Sequence, residues 1–197
     1  MRKIEQTKDK IIQAALDLFV RHGYHGTSIN DITQAVGITK AAFYSHYESK
    51  RELLFRIIDE YESRYIDQLI RVVTEYDGDP IAKLHHAISF NAKFAIKNLE
   101  LCLFLDYLTA GLNADMDFLA KLKDVHDRYR QVFRDIIADG ISQGLISKEY
   151  DPELTAVAFQ ALHQGVLCQW YLNRSHLNGR KYVKNYRMLF MNGLKTP

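Results

Sequence analysis

The sequence predicts an all-α protein of about nine helices, three short ones followed by six longer ones. Three observations predict it. Apolar residues recur at helical spacing along nearly the whole chain, with no convincing strand alternation. Helix-starting signals recur, with Ser28, Thr39 and Ser49 each placed just before a periodic run. Proline is scarce, and two of the three prolines follow an aspartate, at Asp79-Pro80 and Asp151-Pro152-Glu153. An aspartate cap followed by proline at the first helical position marks a helix start. With 197 residues, 47% of them hydrophobic, the chain buries a core without needing metals or disulfides.

The first helix is expected from about Thr7 to Arg21, with Ile11, Ala14, Ala15, Leu18 and Phe19 as its apolar stripe. His22-Gly23 ends it, and Tyr24-His25-Gly26 is a short loop. Ser28 caps a second helix, Ile29 to Val36, with Asp31 in its first turn. Gly37 supplies the left-handed residue that stops it. Thr39 caps a third helix, Lys40 to Tyr47. Ser49-Lys50-Arg51-Glu52 reads as a capping box. It opens a long fourth helix reaching about Thr74, roughly 37 Å at 1.5 Å per residue. Glu75 to Asp79 is the clearest linker. Helices then follow over about 80–97, 99–110 (broken by Gly111), 115–143, 152–173 and 178–193. The domain boundary is set at 50/51, giving domains 1–50 and 51–197.

Composition excludes several classes. The start of the chain is charged and lacks a long apolar run, so no secretory signal is expected. No stretch approaches the roughly 18 apolar residues of a membrane span. Cys102 and Cys168 lie far apart among leucines and read as buried reduced thiols, as in a cytoplasmic protein. The eight histidines show no metal-ligand spacing, and neither a phosphate loop nor a catalytic constellation is found. No cofactor and no enzymatic activity are expected. Net charge is +2, and that excess lies in residues 1–50, which carry seven Lys/Arg against five Asp/Glu.

The densest information lies between Thr27 and Lys50. Two short helices joined by a glycine turn let one helix enter a DNA major groove while the other braces it. Ile32, Val36, Ile38 and Phe43 supply the small core such a pair needs. Thr39, Lys40, Ala41, Tyr44, Ser45 and His46 are then outward groups able to meet base edges or phosphates. Lys50 stands in the first turn of the fourth helix, where a cation opposes the helix dipole but suits a phosphate.

Phe43-Tyr44-Ser45-His46-Tyr47 with Lys50, preceded by Ile32 and Gly37-Ile38-Thr39, resembles the TetR family of bacterial one-component transcriptional regulators. So do Ala14-Ala15-Leu16-Asp17-Leu18-Phe19, His22-Gly23-Tyr24 and Gly26-Thr27-Ser28. The resemblance is specific over residues 10–55 and architectural beyond. It implies that Tyr44 and Lys50 clamp phosphates, and that Thr27 and Ser28 contact the DNA backbone. Thr39, Lys40, Ser45 and His46 match recognition-helix positions. Thr33, Val36 and Ala41 depart from the residues usual in the family.

Aromatic residues repeat at helical spacing in the larger domain: Phe90 with Phe94, His126 with Tyr129 and Phe133, Phe159 with His163. Phe104, Tyr107 and Phe118 lie nearby in sequence. They stand off the aliphatic seams Ile81-Leu84-Ile88 and Leu154-Val157-Ala161-Leu162. A helix apolar on two faces packs between partners or borders a cavity. The resemblance implies a cavity for a small effector, mainly apolar or aromatic, with His126, His163 and Gln164 as polar contacts. Trp170, Tyr182, Tyr186, Leu189 and Phe190 are more apolar than terminal helices of a monomer need, which predicts a homodimer interface. The function expected is a ligand-released repressor bound to palindromic operator DNA, with an activator or a ligand-independent regulator as the alternative.

Overall fold

The structure is a computed structural model; it describes residues 2–110 and 116–194, with side chains placed for 6–106, 108 and 117–194. The described residues form α1 (Arg2–Gly26), α2 (Ile29–Val36), α3 (Lys40–Tyr44), α4 (Lys50–Tyr61), a π-helical turn (Glu62–Ile66), α5 (Asp67–Thr74), α6 (Pro80–Lys97), α7 (Leu99–Ala110), α8 (Met116–Ser142), α9 (Pro152–Asn173) and α10 (Gly179–Gly193). Because α4, the π turn and α5 run on without a break, the described residues make nine helical runs. The predicted fold class holds.

The caps explain the boundaries. Ser28 Oγ accepts the Asp31 N–H at 3.2 Å, and the Asp31 carboxylate accepts the Ser28 N–H at 2.8 Å. Gly37 ends α2 at φ 76°, where a side chain would be strained. Thr39 Oγ1 accepts the Ala42 N–H at 3.1 Å, and Ser49 Oγ accepts the Glu52 N–H at 3.0 Å. Asp79, Asp151 and Asn178 cap α6, α9 and α10 in the same way.

Two expectations are corrected. The first helix does not stop at Gly23: the chain kinks there, at φ 73°, and one further helical turn runs to Gly26. The third helix ends at Tyr44, short of Tyr47, where the backbone tightens and the His46 N–H donates to the Phe43 carbonyl at 2.9 Å. The expected break at Gly111 lies outside the described residues.

The chain divides into two compact units, Met1–Glu62 and Ser63–Pro197. The division falls later than the 50/51 boundary read from the sequence, because α4 packs on α1 and buries Leu53 and Leu54. The core of the first unit is Ile11, Ala15, Phe19, Ile32, Phe43, Leu53 and Leu54. In the second, α8 and α9 pack extensively together, with α6 against α5 and α8. Its core holds Leu69, Leu84, Ile88, Tyr129, Phe133, Ile137 and Phe159. Among the described residues, no helix is long and apolar enough to cross a membrane.

Candidate nucleic-acid interface

The short helix α3 rests on Ile32 and Phe43, both fully buried, and on Tyr47, nearly so. Val36 and Ile38 are half-buried at the edge of this floor. Burial pushes the Tyr47 phenol up to about 12, so it packs as a neutral ring. With Phe43 pointing in, helical rotation turns Thr39, Lys40, Ala41, Tyr44 and Ser45 to solvent, all exposed, while His46 is half-buried. Tyr44 is 53% exposed, yet its ring packs edge-on against Phe43 with centroids 5.5 Å apart. Its phenol is thus held outward by a fixed neighbour.

The loop before α2 is tied down from two sides. Thr27 is buried and donates its hydroxyl to the Gly23 carbonyl at 2.9 Å, so this side chain holds the turn instead of facing out. Ser28 is exposed, with its hydroxyl on Asp31 at 2.7 Å. Those hydrogen bonds hold the Asp31 carboxyl below its ordinary range. The Lys50 ammonium donates to the carbonyls of Tyr24 at 2.7 Å and Thr27 at 2.6 Å. It also lies 4.4 Å from the centre of the Tyr24 ring. Partial burial lowers its pKa. Lys50 therefore joins the start of α4 to the loop that enters α2. Sequence reading missed Tyr24, whose signal was an aromatic one residue past a kinking glycine. Tyr24 packs edge-on against Phe19 at 5.3 Å.

In the second unit the aromatic stripes converge. Tyr65 stacks on Phe94 at 4.5 Å and lies 5.9 Å from Tyr129. Phe90 lies 6.3 Å from Phe94. Tyr129 packs on Phe133 at 4.9 Å, Phe133 on Phe159 at 4.1 Å, and His163 lies 6.1 Å from Tyr129. Phe104 and Phe118 are buried on α7 and α8, and the side chain of Tyr107 lies outside those described. His126 meets the Gln160 amide through Nδ1, and Gln164 donates to Asp106 at 2.9 Å. Burial raises the Asp106 carboxyl to about 6 and lowers His163 to about 4. Sequence reading missed Asn91, a polar residue on the core stripe of α6. Tyr65 donates to its Oδ1 at 3.0 Å, and its amide donates to the Tyr129 hydroxyl at 2.8 Å.

The two apolar faces of α9 part ways, and its aliphatic seam faces out. Leu154, Val157, Ala161 and Leu162 are exposed, and with Ala158, Gly165, Cys168 and Leu172 they make an outward stripe. Phe159 takes the core position, because residues two positions apart on a helix face nearly opposite ways. Cys168 is thus exposed, and only Cys102 is the buried thiol the sequence suggested. Of the terminal aromatics, Trp170, Tyr182, Tyr186 and Phe190 are half-buried against their own unit, and Phe190 packs on Phe159 at 4.6 Å. Leu189 is 78% exposed, with Met188 beside it.

Residues 11–57 match the family described as bacterial regulatory proteins, tetR family, and residues 77–194 match the tetracyclin repressor-like C-terminal domain. An uncharacterized HTH-type transcriptional regulator of Lactococcus lactis, from the lacX 3' region, is 30% identical over 80% of each chain.

The chain belongs to the TetR family.

The biofilm-operon negative transcriptional regulator IcaR of Staphylococcus epidermidis is 42% identical over 64 residues, 32% of this chain and 35% of its own. The crystal structure of the MbdR regulator from Azoarcus sp. CIB superposes with a TM-score of 0.87 at 25% identity, covering 96% of this chain and all of that one. FadR from Bacillus subtilis, solved with stearoyl-CoA, superposes at 0.79 and 18% identity over 94% and 98% of the two chains, a likeness of fold. As a TetR-family member the protein is a DNA-binding transcriptional regulator and not an enzyme. The outward face of α3 and the loop locked by Lys50 lie within the residues that match the family's N-terminal part.

Proposed function

We propose that the protein is a repressor that binds a palindromic operator as a homodimer and is released by a small, mainly apolar or aromatic effector. The observation that carries the DNA-binding part is the face of α3. Lys40, Tyr44 and Ser45 stand outward on a short helix whose inner residue, Phe43, is fully buried. In this reading Lys40 and Ser45 meet base edges and Tyr44 a phosphate. Lys50 has two of its three N–H groups on the loop carbonyls, which leaves the third for a phosphate oxygen. Thr27 contributes through the turn it holds, and Ser28, Thr39, Ala41 and His46 border the same face.

The exposed stripe of α9 with Met188 and Leu189 of α10 supports a second copy as partner. Leu154 and Leu172, at its two ends, are 70% and 65% exposed, and a contiguous apolar face of this length marks an association site. Ala158, Ala161 and Gly165 let another helix approach closely. Two copies read two half-sites about one helical turn apart, roughly 34 Å. The aromatic cluster around Tyr129 supports an apolar effector.

A randomised-site selection with the full chain tests the reading. The expected result is a palindromic consensus whose binding saturates at one dimer per site. Binding that competitor DNA abolishes, with affinity following salt alone, would replace it with non-specific binding.

A further inference from the structure

The helical run from Lys50 to Thr74 changes its winding once, at the π turn Glu62–Ile66. The spacing of the buried residues accounts for the change. Counted in α-helical steps of three and four, Leu54 and Ile58 lead on to Tyr61, Tyr65, Gln68 and Val72. Gln68 is exposed instead, and the residues buried after Tyr65 are Ile66, Leu69 and Val73. From Ile66 on, the apolar pattern is one residue late. A π turn, wound i to i+5, takes up one extra residue, which is what this slip requires.

A π turn is rare, and it persists where the surrounding structure holds it. Other helices of the second unit hold this one. The Tyr65 hydroxyl donates to Asn91 Oδ1 at 3.0 Å, and the Asn91 amide donates to the Tyr129 hydroxyl at 2.8 Å. The Tyr65 ring stacks on Phe94 at 4.5 Å and is 4% exposed. Just past the turn, Arg128 donates to Asp67 at 2.8 Å. The first compact unit ends and the second begins inside this same turn, at Glu62 and Ser63. A residue of the aromatic cluster therefore sets the winding of the segment through which the chain passes from α4 into that cluster.

We propose that the π turn is a two-state joint, held in its π form by Tyr65 and passing to α winding when the Tyr65–Asn91 bond is lost. Coupling over a distance needs an element with two discrete arrangements, and a turn that either keeps or gives up one residue is such an element. Giving it up changes the phase of the run by one residue, about 100° of helical rotation, and α4 turns with it. A guest lodged against Phe94 and Tyr129 competes for the Tyr65 ring and favours the α form. That last step alone rests on the effector-responsive reading given above.

Full-length wild type, Tyr65→Phe, a deletion of Ser63 and Ile137→Val are compared without any effector, so the joint is judged separately from the effector reading. Tyr65→Phe keeps the ring and removes the hydroxyl that reaches Asn91. Deleting Ser63, an exposed residue, takes out the extra residue and builds the α winding in. Ile137→Val loosens a fully buried position of the second unit on α8. Hydrogen exchange read by mass spectrometry follows the amides of residues 62–66. Titration with the duplex recovered by the randomised-site selection gives operator affinity, and melting curves show that each variant folds. Tyr65→Phe should speed exchange at 62–66 about five- to tenfold, the effect of one neutral hydrogen bond, and weaken operator binding by a similar factor. The Ser63 deletion should weaken operator binding about a hundredfold, near the upper end of allosteric coupling. Ile137→Val should lower the melting temperature and change neither readout. Exchange unchanged in Tyr65→Phe overturns the proposal. So does operator affinity unchanged in Tyr65→Phe and in the deletion, or an equal loss of affinity in Ile137→Val, which would make the effect one of general stability. If the deletion does not fold, Tyr65→Phe against Ile137→Val decides. A selection that recovers no preferred duplex removes the operator reading and the coupling with it, while exchange at 62–66 still decides whether Tyr65 holds the turn.

Discussion

The two units fix their polar groups over different distances along the chain. In the first, side-chain hydrogen bonds run mostly between residues three or four apart: Ser28 with Asp31, Thr39 with Ala42, Ser45 with Ala42. One long link, Lys50 to Tyr24 and Thr27, ties the loop to α4. In the second, the buried links join distant segments: Tyr65 with Asn91, Asn91 with Tyr129, Asp106 with Gln164. The second unit also leaves an apolar stripe on α9 exposed and, among the described residues, one buried hydroxyl, that of Tyr186, without a partner. A locally closed unit presents a fixed surface. A unit closed by distant contacts has groups still to be satisfied, and these are where a partner or ligand exerts differential affinity.

The comparison breaks most readily at Phe43. Phe43→Ala should cost the first unit about 3–5 kcal/mol and abolish operator binding. Sedimentation should show the oligomeric state unchanged; its loss would mean that the first unit also governs assembly. Placing charge on the stripe tests the second unit. Leu172→Glu with Leu189→Glu should give monomers in sedimentation and reduce operator affinity about a hundredfold, since one half-site then binds without the other.

Lys50→Met sharpens the contrast, because it removes the long link from α4 to the Tyr24 and Thr27 carbonyls. Melting should show a loss of about 1–3 kcal/mol as two carbonyls lose their donor. If Lys50 also holds a phosphate, the salt dependence of operator binding should fall by about one ion.

Asp106 gives a pH signature confined to the second unit. Its folded pKa of about 6 stands above the ordinary 3.8, so the wild type favours the protonated form and loses stability as pH rises from about 4 through 6. Asp106→Asn, which keeps the Gln164 contact, should be more stable than wild type by about 2–3 kcal/mol at pH 7. The advantage should vanish by pH 4, as read by thermal melting across that range. The smallest effect is expected at Tyr44. Tyr44→Phe should lower operator affinity by about 0.5–1.5 kcal/mol, one hydrogen bond, and leave the melting temperature unchanged.

Much of the first unit was legible because its determinants are local. Ser28, Gly37, Thr39 and Ser49 act within a few residues of where they stand, so their caps are readable from spacing alone. Tyr24 was not, because its role depends on Lys50 arriving from a different helix. Asn91 was visible only as a polar residue on an apolar stripe, and its two partners come from other helices. Which face of α9 meets the core was not legible, because Leu154-Val157-Ala161-Leu162 and Thr155-Ala156-Phe159 are both stripes at helical spacing. Periodicity identifies two such faces but does not rank them.

The amino-acid order alone determined that this chain is helical, where most of its helices begin, and that residues 27–50 carry the DNA-binding pattern. Those features follow from backbone capping and helical period, which act over one or two turns. Only the packed structure decided which face of α9 is outside, that Lys50 holds a loop, and that Tyr186 is left without a partner. Each of those depends on which distant helix fills the space beside it, and spacing along the chain does not specify that.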